Sequence, residues 1–90
     1  MNFNQTLTLA PHIMFQEFDN EAILLDIRTQ NHFGLDDIGS LLCSQISNKV
    51  ALKTIFDSIL QSYDVSKEQL ENDLTTLIQE LHKHELIEIN

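Results

Sequence analysis

The sequence predicts an α+β fold: a winged-helix-like domain in which an N-terminal three-stranded antiparallel sheet is followed by three helices. Three observations carry that prediction. Up to Leu35 the apolar residues fall in short extended-type runs separated by polar, turn-forming residues. From Asp36 onward they recur at helical spacing instead. The chain has 90 residues with two Gly and one Pro, which suits one domain over residues 1–90, its core at about 10–89, and leaves little room for a flexible linker.

Leu7 and Leu9, interrupted by Pro11, read as a short extended lead-in. A first strand is expected at Ile13–Phe18, closed by the turn pair Asp19-Asn20, whose short polar side chains bond locally and tolerate left-handed backbone. A second strand follows at Glu21–Ile27. Its centre, Ala22-Ile23-Leu24-Leu25, is continuously apolar, which predicts burial on both faces or nearby helices. Arg28-Thr29-Gln30-Asn31 makes a second turn, and His32–Leu35 a short third strand. Gly34 within it fits a bulge, a close backbone approach or a turn into the next helix.

Asp36 is placed to cap that helix, with Asp37 favourable at the positive end of its dipole. Ile38, Leu41, Leu42 and Ile46 predict a helix over Asp37–Ile46. Gly39 lies inside it at a cost of about 1 kcal/mol relative to Ala, which close packing against a strand would explain. Ser47-Asn48-Lys49 ends it. A second helix, Val50–Tyr63, carries Leu52, Ile55, Phe56, Ile59 and Leu60 as an amphipathic stripe. Ser66 and Gln69 have the spacing of a capping box and start the third helix. Leu70, Leu74, Leu77 and Leu81 form its inner stripe, with Ile78 on one shoulder and Asp73, Thr76 and Glu80 on the other. The helix is expected to end near His84, leaving Leu86-Ile87-Glu88-Ile89 as a short extended tail.

Composition narrows the function classes. Fourteen acidic against five basic residues give a formal charge of −9. That balance repels a phosphate backbone, whose affinity for protein rests on Lys and Arg displacing counterions. No nucleic-acid partner is expected, and a basic or mixed peptide or the basic face of an enzyme is favoured. No apolar run approaches the roughly 20 residues of a membrane span, and no signal-peptide pattern opens the chain. One cysteine permits no internal disulfide. A cytoplasmic location without membrane contact is the expectation.

Few residues are arranged for chemistry. His82 and His84 are two apart, so on a helix they diverge by about 200° and do not share a metal readily. They read as solvated groups at a helix C-terminus. Cys43 falls beside an apolar stripe and reads as a buried thiol. The carboxylates are dispersed, and Gly34 and Gly39 form no phosphate-binding loop. No catalytic residue, metal or cofactor is expected.

A resemblance supplies what composition does not. Leu24-Leu25-Asp26-Ile27, then Thr29, then His32-Phe33-Gly34-Leu35-Asp36 with Ile38-Gly39, resembles the LLDLxTGxYFGLNxxG block of the PqqD-like family. Tyr63-Asp64-Val65, followed by Asp73-Leu74, Leu77, Leu81 and Leu86, resembles that family's ending. The similarity spans about residues 10 to 89. Gln30 and Glu85 stand where the family usually has glycines, which predicts a different second turn and a different helix stop. Cys43 stands where it often has a large aromatic.

The resemblance implies a leader-recognition element of ribosomal peptide biosynthesis. Such domains hold the leader of a precursor peptide and present it to a modifying enzyme, here a lasso-peptide protease or cyclase or a radical SAM enzyme. In the family the leader adds as a strand beside the third strand, against the third helix. Carried over, the edge is Asn31, His32, Phe33, Gly34 and Leu35, and the helix wall draws on Asp73, Leu74, Leu77 and Ile78. An edge strand with unpaired backbone groups suits this role. The same edge would also serve a homodimer or scaffold module. A winged-helix DNA-binding domain is the other reading of the layout, but its recognition helix would need Lys and Arg. Ser66–His84 instead has one Lys near each end and Glu68, Glu71, Asp73 and Glu80 between them.

Overall fold

In the computed structural model, which describes residues 2–19 and 21–90, the elements follow the expected order. They are β1 (Leu7–Leu9), β2 (Ile13–Phe18), β3 (Glu21–Asp26), β4 (His32–Leu35), α1 (Asp37–Ser47), α2 (Leu52–Ser62), α3 (Lys67–Lys83) and β5 (Ile87–Ile89). The N-terminal sheet followed by three helices is the α+β, winged-helix-like layout read from the sequence. β2, β3 and β4 form an antiparallel meander in that spatial order. Phe15, Leu24 and Phe33 stand opposite one another across it, as do Glu17, Ala22 and Leu35. Asp19 adopts a left-handed φ of 56° after β2. Its expected turn partner, Asn20, lies outside the described residues.

One pairing is not predicted by any local pattern. The lead-in and the tail zip together as a two-stranded antiparallel ribbon, with Leu7 opposite Ile89 and Leu9 opposite Ile87. Beyond it, Asn90 N–H donates to Thr6 O at 2.8 Å, and Ala10 N–H to Leu86 O at 3.1 Å. Leu7, Leu86 and Ile87 are buried, so the ribbon closes one side of the core. Phe3 joins it by packing edge-on against Phe56, with ring centroids 4.9 Å apart.

The core lies between the inner face of the meander and the three helices. Leu24 from the sheet, Leu42 and Cys43 from α1, Ile55 and Ile59 from α2, and Leu74 from α3 are completely buried. Burial pushes the Cys43 thiol up to about 12, so it behaves as a small apolar group. The run Ala22–Leu25 is covered on one face only. Ala22 and Leu24 are buried, whereas Ile23 and Leu25 are partly exposed on the face away from the helices. Burial on both faces, one of the two expectations for this run, is therefore not what the structure has.

The starts of α1 and α3 match the sequence, whereas α2 begins at Leu52 rather than at the expected Val50, with no side-chain cap. Asp36 Oδ1 accepts the Gly39 N–H at 2.7 Å, and Ser66 Oγ accepts the Gln69 N–H at 3.1 Å. A Cβ on Gly39 would come within 3.1 Å of Asp36 Oδ1 and 3.5 Å of a Leu35 methyl, so glycine lets the cap and the end of β4 close over α1. Helix ends fall within about one residue of expectation, and what differs is the kind of stop on α3. Glu85 has φ of 60°, its N–H bonds to His82 O, and the Leu86 N–H bonds to Leu81 O. That is a Schellman stop in its usual form, made without glycine. Lys49, at φ of 63°, ends α1 in the same way through Ile46 O and Gln45 O.

Candidate functional site

β4 is an edge of the meander, because β3 pairs with it on one side and, among the described residues, no strand pairs on the other. Strand geometry turns half of its N–H and C=O groups away from β3, where they can accept a further strand. The turn that presents this edge is held by Asp26. The Arg28 N–H donates to Asp26 Oδ1 at 2.9 Å, and the Arg28 guanidinium lies 3.4 Å from Asp26 Oδ2. The Gln30 N–H bonds to Asp26 O at 2.7 Å, and the Asp26 N–H to Asn31 O at 2.8 Å. Burial raises the Asp26 carboxyl, but the hydrogen bonds and charge of Arg28 outweigh it and hold it below the usual carboxylate range. Gln30 takes φ of 65°. The turn thus keeps a left-handed residue where the family usually has glycine, contrary to the expectation of a turn of another kind.

Along the edge, Asn31, His32 and Gly34 are exposed, and Phe33 and Leu35 are partly buried toward the core. Gly34 sits in regular register opposite Ile23, between the Leu24–Phe33 and Ala22–Leu35 pairs. There is no bulge, and a Cβ there would meet nothing within 4 Å. Neither a bulge nor a close approach within the chain accounts for this glycine.

The wall opposite is one shoulder of α3. Asp73, Leu77, Glu80 and His84 follow one another at spacings of four, three and four, so they share a helix face. The Phe33 and His84 rings have centroids 6.3 Å apart, which brings the C-terminal end of that shoulder to β4. Asp73 is exposed and accepts the Gln69 side-chain N–H at 2.8 Å, while His84 Nε2 lies 3.6 Å from a Glu80 oxygen. Leu77 is partly buried. The other two expected wall residues sit deeper. Leu74 is completely buried, and Ile78 is buried on the shoulder that faces Gln5 and Ile89. His84 is an exposed residue at the C-cap of α3, as read from the sequence, and its ring also stands beside that of Phe33, a juxtaposition the sequence reading did not include.

Among the described residues no group of three or more His, Cys, Asp or Glu could hold a metal ion. No helix of the described residues is long and apolar enough to cross a membrane. The site offers backbone hydrogen bonds on one side and an acidic, partly apolar helix shoulder on the other.

The family model for coenzyme PQQ synthesis protein D (PqqD) matches residues 21–87. The chain belongs to the PqqD family. Two solved structures share its fold. "TbiB1 in Complex with the TbiA(beta) Leader Peptide" is 30% identical, covers 90% of this chain and 94% of its own, and superposes with a TM-score of 0.83. "Lasso peptide synthetase B1 complexed with the leader peptide" is 21% identical over 91% of this chain and 96% of its own, with a TM-score of 0.80. No curated protein matches the chain. The PqqD resemblance read from residues 24–39 and 63–86 is borne out, and it includes the segment that builds β4 and its turn.

Proposed function

We propose that this PqqD-family chain, acting as a single domain, binds the leader segment of a ribosomally synthesised precursor peptide and presents it to a modifying enzyme. The leader adds as a strand along β4, and its side chains on one face meet the α3 shoulder of Asp73, Leu77, Glu80 and His84. The observation that carries this reading is the open β4 edge beside that shoulder, in a fold shared over nine-tenths of the chain with a leader-bound protein. The enzyme is of the lasso-peptide protease or cyclase kind, in keeping with one of the two similar structures; a radical SAM enzyme is the other class that uses such domains. Strand addition takes affinity from main-chain hydrogen bonds and selectivity from alternate side chains. The carboxylates of the shoulder favour a leader carrying Lys or Arg. The same charge speaks against DNA: α3 exposes Glu68, Asp73 and Glu80 where a recognition helix would carry basic residues.

The test is an amide NMR titration of the full chain with the leader of the precursor encoded beside it. Shifts concentrated at Asn31–Leu35 and at Asp73, Leu77 and His84 are expected. Leaders N-methylated at single positions add a sharper criterion, because strand pairing predicts loss of affinity at alternate positions only. Equal loss at every position, or shifts confined to other surfaces, would overturn the reading.

A further inference from the structure

The face of the meander turned away from the helices is unusually apolar for a surface open to water. Antiparallel sheets with one solvated face normally alternate apolar-in and polar-out. Here the outer rows read Met14–Leu25–His32 and Gln16–Ile23–Gly34, with Phe18 opposite Glu21 beyond them. Met14 is 48% exposed, Phe18 54% and Ile27 53%, and Ile23 and Leu25 lie partly exposed between them. An apolar patch of this kind on a small soluble domain marks an interaction surface.

Charge selects the occupant. The hairpin-tip end of the patch is acidic: Phe18 lies between Glu17 and Asp19 in the chain and stands opposite Glu21, and around the tip, on the helix side, these three carboxylates border an open cavity of about 580 Å³ with Ala22, Asp37, Ser40 and Tyr63. A second copy would bring the same acidic tip and the same net charge of −9 against this one. A partner with an apolar centre and a Lys- or Arg-rich rim meets no such penalty. At the other side the patch runs to the β4 edge. Gly34 leaves a recess there of about 350 Å³, lined by Glu21, Ala22, Ile23 and Leu35. A strand laid along β4 would border that recess and extend the face, its own outward side chains continuing the rows of Ile23 and Leu25.

We propose that this outer face is the docking surface for the modifying enzyme, which reads the patch together with the outward side chains of the bound leader. The inference rests on the leader-binding reading above. It makes the enzyme's preference for leader-loaded over empty protein a matter of surface continuity, with no movement of the fold required.

The experiment uses the full chain, the fluorescently labelled leader, and the purified modifying enzyme encoded in the same gene cluster. Phe18→Lys and Ile27→Lys each place a like charge before a basic rim. Each is expected to weaken association of the leader-loaded chain with the enzyme by about tenfold or more, as loss of an interface anchor does. Leader affinity is expected to stay within about twofold, and circular dichroism melts to stay close to wild type, because these side chains are exposed. Unchanged enzyme association in both variants, with leader binding intact, would overturn this inference alone. Loss of leader affinity as large as that of Leu77→Asp would assign the face to the leader and overturn it too. A dimer of the chain that both substitutions dissolve would assign the face to a second copy, with the same consequence. Failure of the unsubstituted chain to bind any leader would overturn the leader reading, and the docking inference with it.

Discussion

Lys49 and Glu85 each hold a left-handed conformation that costs an L-residue about 1 kcal/mol or more, because Cβ crowds the neighbouring carbonyl. Glycine would relieve that crowding while adding freedom to the unfolded chain. Lys49→Gly and Glu85→Gly are therefore expected to raise stability by about 0.5–1 kcal/mol each, measured by urea unfolding. Asp26 behaves differently. Its folded pKa lies below the ordinary 3.8, so its stabilising effect is present above that pH and fades as pH falls through the folded value. Asp26→Asn should be less stable than wild type at pH 7, with the gap narrowing below pH 3.8; a gap constant with pH would show that the carboxylate charge is not what matters. Residue-level features divide cleanly by legibility. Asp36 and Ser66 could be read as caps because the capping side chain is itself the signal. Gln30 and Glu85 could not be read as left-handed, since the usual sign of that conformation is glycine and only the surrounding hydrogen bonds impose it here.

At the scale of elements, β4 and α3 frame the proposed site, and both were expected from the sequence. Which faces they use was less plain. The run Ala22–Leu25 has no alternation, so sequence could not separate the covered face from the open one. On α3 the leucine stripe located the buried side. Separating Leu77, at the margin, from fully buried Leu74 needed the packing of the neighbouring elements. Gly34 offers a direct test of its role. Gly34→Ala meets open space and suits a strand better, so the fold should be no less stable in thermal melts. Ternary assembly with leader and enzyme should nonetheless weaken, because the added methyl partly fills the recess at the edge. Leu77→Asp should reduce leader affinity by about tenfold or more, since it places a charge on the partly apolar wall.

For the whole molecule, the net charge of −9 is expected to govern how a charged partner approaches. Exposed charges are screened within a Debye length of about 8–10 Å at ordinary ionic strength. Association with a basic leader should slow as salt rises, mostly through the on-rate, and Asp73→Asn should reduce that salt dependence in stopped-flow measurements. A salt-insensitive on-rate would show that shape and backbone pairing act alone. The overall layout was legible because each element announced itself locally and in order. The ribbon of β1 and β5 was not, because two three-residue strands carry too little pattern to name each other across the whole chain.

That ribbon also bears on how the protein comes apart. Asn90 and Thr8 are 82 positions apart in sequence, so joining them closes nearly the longest loop this chain can form. Closing a loop of that length costs entropy that grows with the logarithm of its size, and contacts of such separation tend to form late in folding. The ribbon is therefore a seam sewn last and opened first. Amides of Thr8 and Glu88 should exchange with solvent deuterium well before those of Leu24 and Ile59, and a tug on the two chain ends would unzip the seam while the β4 edge on the far sheet stayed folded.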